Sequence, residues 1–262
     1  MGPEKNGLFA EERHQRIVEL LRQDNRITVS GLVDLLNVSE ATIRRDLRYL
    51  KMKGLITRTH GGAILAEGTG FEPTMLEKEE QFRAEKERIG RLAAGLIEDG
   101  DTVILDGGTT TVEIARNLRN REGITVITNA INVCTELARS DMDIILIGGS
   151  LRKPTLTLVG SLAEATLKQF HVDKVFLGMN GVSVSHGLTT PNLTEAQAKR
   201  LMLEQAETVV VVADHSKIEK TSLVTVAGIS EVDVLVTDDG ISREQKQAFE
   251  DSGVRVLIAG AC

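Results

Sequence analysis

The chain carries no tryptophan, one tyrosine, four prolines and two cysteines among its 262 residues. Its cysteines, Cys134 and Cys262, make no CxxC pair. A structural zinc site takes about four Cys or His ligands at short spacings, so such a site is excluded, and so is a disulfide scaffold. Cys134 reads as a packing residue and Cys262 as a terminal one; neither suggests redox sensing. So few prolines exclude a collagen-like chain. No apolar run approaches the roughly 20 residues that cross a bilayer. The opening MGPEKNGLFAEERHQR mixes both charge signs and has no apolar core, so no signal peptide is expected. Sparse, unpatterned cysteines without a leader fit a reducing cytosol, and a cytoplasmic protein with no membrane partner is expected. Hydrophobic residues make up 41% and charged residues 26%, which excludes a mainly disordered chain.

What is present is unevenly charged. Residues 1–65 hold 11 Lys and Arg against 8 Asp and Glu, while the remainder holds 20 against 30. A basic head on an acidic body suggests that only the head meets a polyanion. Within the head, apolar residues at Ile17, Leu20 and Leu21 have helical spacing. Thr28 can cap a second helix carrying Leu32, Leu35 and Leu36. Asn37-Val38 makes a tight turn, and Ser39 caps a third helix that Gly54 ends. LITRTHGGAIL (55–65) then reads as two short strands around His60-Gly61-Gly62. Three helices and a hairpin outline a winged helix-turn-helix domain over 1–65. Residues 66–85, with two glycines, one proline and many charges, read as a linker that turns helical towards its end.

From residue 86 short β-branched runs recur at 102–106, 124–129, 143–149, 173–178, 208–214, 232–238 and 254–260. Continuous apolar runs of this length suit strands buried on both faces. Helical patterns stand between several of them. One holds Ile89, Leu92, Ala93, Leu96 and Ile97; others open on capping boxes at Thr194 with Gln197 and at Ser242 with Gln245. The expected fold class is therefore α/β: the winged helix-turn-helix plus a mostly parallel α/β domain over 86–262. Ligands bind such sheets beyond the carboxyl ends of the strands. Those ends are Asp106, Asn129, Gly148-Gly149, Gly178 and Asp214.

On the third helix Ile43, Leu47 and Leu50 share one side, while Ala41, Arg44, Arg45 and Arg48 share the other. Arginine on a helix in the major groove pairs with guanine edges and holds phosphates. In helix-turn-helix proteins this third helix enters the groove. The candidate DNA contacts are Thr42, Arg44, Arg45 and Arg48, with Arg58 and His60 from the wing. In the body, LDGGTTT (105–111) leads from strand through Gly107 and Gly108 into a helix at Thr109, Thr110 and Thr111. Free amides there make an anion cradle. GxGxxG and GxxxxGK[ST] are both absent, so dinucleotides and ATP are not indicated and no cofactor is expected. Asn129 ends the next strand, Arg152 follows Gly148-Gly149, and VADHSK (212–217) brings Lys217 near another strand end. One cradle with two cations favours a phosphate ligand.

SEATIRRDLRYLKMKGLITRTHGGAI (39–64) resembles the DNA-binding domain of DeoR-family transcriptional regulators, and DGGTTT, ITNA, GGSLR, GMNG, GLTTPNLTEAQAKR and VADHSK follow in that family's order. The resemblance covers about residues 12–250. It implies a sensor domain related in fold to ribose-5-phosphate isomerase. It also implies a repressor of sugar or polyol genes that binds double-stranded operator DNA and responds to a phosphorylated sugar or polyol. By the same resemblance Thr109, Thr110, Thr111 and Lys217 bind phosphate. Asp106, Gly108, Asn129, Arg152, Asn180, Gly181 and Glu195 line the remainder, with Lys199 expected to pair with Glu195. The alternative is a sugar-phosphate isomerase with Glu195 as base. Isomerases of that fold, however, carry paired acids where this chain has Met179 and Asn180, so binding without turnover is expected. Paired half-sites on DNA imply a homo-oligomer, a dimer or a tetramer.

Overall fold

The computed structural model describes residues 9–24, 26–53, 55–59, 61–65 and 75–260, which fall in two compact units, 1–71 and 72–262. The first unit opens with α1 (Ala10–Asp24), which buries Ile17, Val18 and Leu21. Strand β1 (Arg26–Thr28) follows, then α2 (Val29–Leu36), whose first turn is capped by Thr28 accepting from the Gly31 amide. Asn37 adopts φ 50°, a left-handed conformation that asparagine tolerates, and turns the chain into α3 (Glu40–Met52). Ser39 caps α3 through the Thr42 amide. Strands β2 (Ile56–Thr59) and β3 (Gly62–Leu65) form the expected antiparallel hairpin.

Arg26–Thr28, expected as a break, instead pairs with β3, so the sheet order is β1-β3-β2. Gly62 permits this, since a Cβ there would lie 2.1 Å from the Ile27 carbonyl oxygen. Ile43, Leu47, Leu50, Leu32 and Ile56 close one small core. Gly54, His60 and residues 66–74 of the expected linker lie outside the described residues.

The second unit begins with α4 (Met75–Glu80), inside the span expected as a linker that turns helical, and α5 (Arg83–Ala94), which starts at that span's end and carries the expected Ile89, Leu92 and Ala93. Alternation follows: β4 (Thr102–Leu105), α6 (Thr109–Leu118), β5 (Thr125–Thr128), α7 (Ile131–Leu137) and β6 (Asp143–Leu146). A hairpin of β7 (Ser150–Arg152) and β8 (Thr157–Val159) leads to α8 (Ser161–Leu167) and β9 (Val172–Gly178). Then come β10 (Gly181–Ser183), β11 (Gly187–Thr190), α9 (Leu193–Glu204), β12 (Ala206–Val212) and β13 (Val224–Ala227). The unit closes with β14 (Val234–Asp238), α10 (Arg243–Asp251) and β15 (Arg255–Ala259).

All seven expected strands lie in one parallel sheet, ordered β15-β14-β12-β9-β4-β5-β6. Side chains alternate across it. Val103 and Leu105 join a core with Ile89 and Ile114, while Ile104 joins Leu167, Leu177 and Met202 on the other face. The order runs outward from β4 through β5 to β6, and from β9 through β12 to β15. The β4/β9 pair is therefore the switch point, where a crevice opens beyond the strand ends.

Three expectations need correcting. β6 is an exposed edge strand and not buried on both faces: Leu146 is 42% exposed and Ile145 36%. The cap of α9 is Asn192, whose Oδ1 accepts from the Glu195 amide, rather than Thr194, which lies inside the helix. Cys134 is half-buried in α7 rather than fully packed. The Ser242 box with Gln245 is present as read. Among the described residues no helix is long and apolar enough to cross a membrane.

Candidate functional site

Helix α3 presents three distinct faces. Ile43, Leu47 and Leu50 face the core of the first unit. Asp46, 2% exposed, accepts from Arg13 Nε at 2.5 Å and Nη2 at 3.1 Å, and lies 3.0 Å from His14 Nε2. This pins the middle of α3 to α1. Desolvation raises the Asp46 carboxyl, but hydrogen bonds from Arg13 and His14 outweigh it and hold the group below the usual carboxylate range. The third face exposes Arg44, Arg45 and Arg48 together. Arg44 is held by Glu40, one turn earlier, with Nε donating at 2.7 Å. Arg45 and Arg48 make no ion pair among the described residues. The Thr42 hydroxyl lies 2.9 Å from Ser39 Oγ and belongs to the cap, and Arg58 is half-buried in β2. His60 lies outside the described residues.

In the second unit a narrow cleft, open to solvent, lies at the ends of β4, β9 and β12. Gly108, Thr109 and Thr110 border it at the start of α6. The first amides of an α-helix have no intrahelical acceptor, so this end offers N–H donors and a partial positive charge. Gly107 lets the β7–β8 hairpin approach, since a Cβ there would lie 2.1 Å from Thr157 Cγ2. Lys217 borders the same cleft from a turn fixed by acids on both sides. Asp214 accepts from the Ser216 amide at 3.1 Å. Asp238 accepts from the His215 amide at 2.7 Å and lies 2.7 Å from His215 Nδ1.

The floor of the cleft is polar and already partnered. Glu195, 5% exposed, accepts at Oε1 from Thr155 at 2.5 Å and from Thr157 and Arg152 at 3.3 Å each. Lys199 does not pair with Glu195. It reaches to Asp106 and donates to the Gly178 carbonyl at 2.8 Å, because Asp106 lies buried beside the end of β9. Burial pushes the Asp106 carboxyl up, and Lys199 opposes it. Asn129 packs beneath the cleft beside Asp106, Thr157, Glu195 and Lys199, with no room left for a ligand. Its Nδ2 donates to the Leu158 carbonyl at 3.1 Å, whereas its buried Oδ1 has no hydrogen-bond partner among the described residues.

Sequence reasoning thus named Gly108, Thr109, Thr110, Asn180, Glu195 and Lys217, all of which border the main cleft. Asp106 and Asn129 lie beneath it and do not border it, and Arg152 acts through Glu195. Two candidates stand apart. Thr111 turns its hydroxyl onto the Gly108 carbonyl at 3.0 Å, and Gly181 packs against the Lys220 backbone.

Thr155, Asp214 and three further lysines, Lys78, Lys86 and Lys199, also border the cleft. The signal for Lys86 was available, because it stands in phase with Ile89, Gly90 and Ala93 on the buried face of α5. A charged residue on an apolar stripe has a partner to find. Among the described residues no three His, Cys, Asp or Glu side chains gather to hold a metal.

Residues 13–69 match the DeoR-like helix-turn-helix domain, and residues 81–239 match the DeoR C-terminal sensor domain. The chain is 42% identical to the HTH-type transcriptional regulator GlpR of Haloferax volcanii, with 95% of this chain and 98% of that one covered. It is 41% identical to the HTH-type transcriptional repressor GlcR of Bacillus subtilis, covering 96% and 97%. Against the glycerol-3-phosphate regulon repressor of Escherichia coli it is 36% identical, covering 87% and 90%. Among solved structures, ribose 5-phosphate isomerase A from Methanocaldococcus jannaschii matches 53% of this chain and 55% of its own, at 19% identity and a TM-score of 0.40.

Proposed function

The chain belongs to the DeoR family of helix-turn-helix transcriptional regulators, and on that premise we propose that it represses a sugar or polyol operon and is released by a phosphorylated intermediate of that pathway. Its family and relatives are regulators and repressors rather than enzymes, so the isomerase alternative is not favoured.

Residues 1–65 would be the DNA-binding domain, 66–85 the linker and 86–262 the effector domain. Arg45 and Arg48 would make the main operator contacts. Arg44 joins them once it leaves Glu40, and Thr42, Arg58 and His60 have secondary roles. The protein would act in the cytoplasm as a dimer or tetramer, since paired heads read paired half-sites.

The observation that carries the effector reading is the meeting of an open helix N-terminus with Lys217 and three further lysines in one cleft. Such a site favours a dianion over a neutral sugar. Thr109, Thr110 and Lys217 would hold the phosphate. Asn180 and Glu195 would meet hydroxyl groups, with Asp106, Asn129 and Arg152 supporting them from behind. One relative is named a glycerol-3-phosphate regulon repressor, which supports the same ligand class.

Calorimetry with a panel of sugar and polyol phosphates, on wild type and Lys217→Ala, tests this. Phosphates should bind better than their parent sugars, and Lys217→Ala should weaken them at least tenfold. Preference for the unphosphorylated sugar, or unchanged affinity in the variant, would remove the anion site.

A further inference from the structure

Lys86 does more than line the cleft. Its side chain is buried, and its ammonium donates to the Lys78 carbonyl and, at 2.6 Å, to the Gln81 carbonyl. Those carbonyls close α4, the part of the second unit that follows the path from the head in the chain. An ammonium has three N–H donors, so among the described residues two are engaged and one remains. The joint between α4 and α5 is Phe82, at φ 51°, whose ring meets His215 edge-on at 4.8 Å. His215 is in the same turn as Lys217. The α4 end, Lys86 and the anion cradle therefore share one wall.

We propose that Lys86 couples the ligand to the linker: its third N–H donates to the anion held at Thr109 and Thr110, and the bound ligand thereby fixes α4 through the Lys78 and Gln81 carbonyls. The proposal rests on the reading of the cleft as an anion site. Without ligand the ammonium is in a poor setting. Burial, with Lys217 and Lys78 nearby, pushes it down to about 8, and Asp214 and Glu113 only partly oppose this. A dianion beside it reverses the balance, and the ammonium then holds the α4 carbonyls more firmly. Residues 75–81 are where the second unit begins along the chain.

Hydrogen exchange on the full-length protein tests this, with glycerol 3-phosphate, fructose 1-phosphate and inorganic phosphate as probes. Saturating probe should slow the amides of 109–112 and, about tenfold, those of 75–81. Lys86→Met should lose the slowing at 75–81 whether or not 109–112 stay protected, and Lys86→Arg should keep it. Protection at 109–112 with 75–81 unchanged in wild type would overturn the coupling and leave the anion site standing. Equal slowing at 75–81 in wild type and Lys86→Met would also overturn it. If no probe protects 109–112 in wild type, the anion site fails and the coupling falls with it.

Discussion

Lys199 passes over Glu195, its neighbour one helical turn away, and reaches Asp106 at the end of β4. Both partners are buried, with Asp106 2% exposed. The pair ties α9 to the central strand below the cleft, and the Gly178 carbonyl and amide complete it. Glu195 is thereby left to Arg152, Thr155 and Thr157. A glutamate held by three donors at one oxygen is a fixed acceptor, suited to binding.

Removing Lys199 should be costly. Lys199→Met leaves Asp106 as an unpaired buried charge, and such losses cost about 3–5 kcal/mol. Asp106 is already pushed up by burial, so in the variant it escapes by taking a proton. The penalty should therefore shrink as pH falls, and Asp106→Asn added to Lys199→Met should restore part of the stability. Urea denaturation at pH 5 and pH 8 measures it; equal penalties at both would contradict the assignment.

The same logic applies to the head. Asp46→Ala strands Arg13 in the core and should cost about 3–5 kcal/mol. The Asp46 carboxyl is held below its unfolded value, so its stabilisation is full above that value and is lost as pH falls through the folded one. The gap in thermal midpoint between wild type and Asp46→Asn should close on acidification. A gap that widens in acid would reverse the sign.

For DNA, Arg45→Ala and Arg48→Ala should each weaken operator binding by about 1–3 kcal/mol if they read bases. Arg44→Ala should cost less, because its pairing with Glu40 must first be broken, and Glu40→Gln should tighten binding slightly. Operator affinity should fall with salt at a log–log slope of about −0.9 per phosphate neutralised. A double Arg45→Ala, Arg48→Ala variant with unchanged affinity would place the contact elsewhere.

Ligand affinity should also depend on Lys86. Its ammonium, at about 8 without ligand, faces Lys78, Lys217, Asp214 and Glu113. An anion raises that value, so binding takes up a proton above about pH 8, and affinity falls there by up to about tenfold per pH unit. Lys86→Arg should flatten the decline, since a guanidinium stays charged. Titration calorimetry from pH 7 to 9.5 reads both slopes.

Much of this was legible in the sequence, for physical reasons. Runs such as TVILD and TVVVVAD bury both faces, so all seven parallel strands showed as continuous apolar segments. Strand ends then located Asp106, Asn129 and Asp214 before any fold was known. The small elements were not legible. β1 has three residues and takes its pairing from distant Gly62, and β7, β8, β10 and β11 lack a strong period. β6 reads as buried because Ile144, Ile145 and Leu146 are apolar, yet its position at the sheet edge is a property of strand order. The Lys199–Asp106 pair spans 93 residues, and nearest-neighbour spacing pointed to Glu195 instead. Lys86 was legible as a charge on an apolar face, although no site motif contains it.

The most direct test follows operator binding itself. Labelled DNA from upstream of the gene cluster that contains this regulator is titrated with full-length protein, by fluorescence anisotropy, with and without each sugar phosphate of that cluster's pathway. One phosphorylated ligand should weaken operator binding by about 5–150-fold, the range of a coupling of 1–3 kcal/mol. Lys217→Ala should bind DNA normally and lose that response. Operator affinity that no phosphorylated ligand changes, or a full response in Lys217→Ala, would contradict control of the head by this cleft.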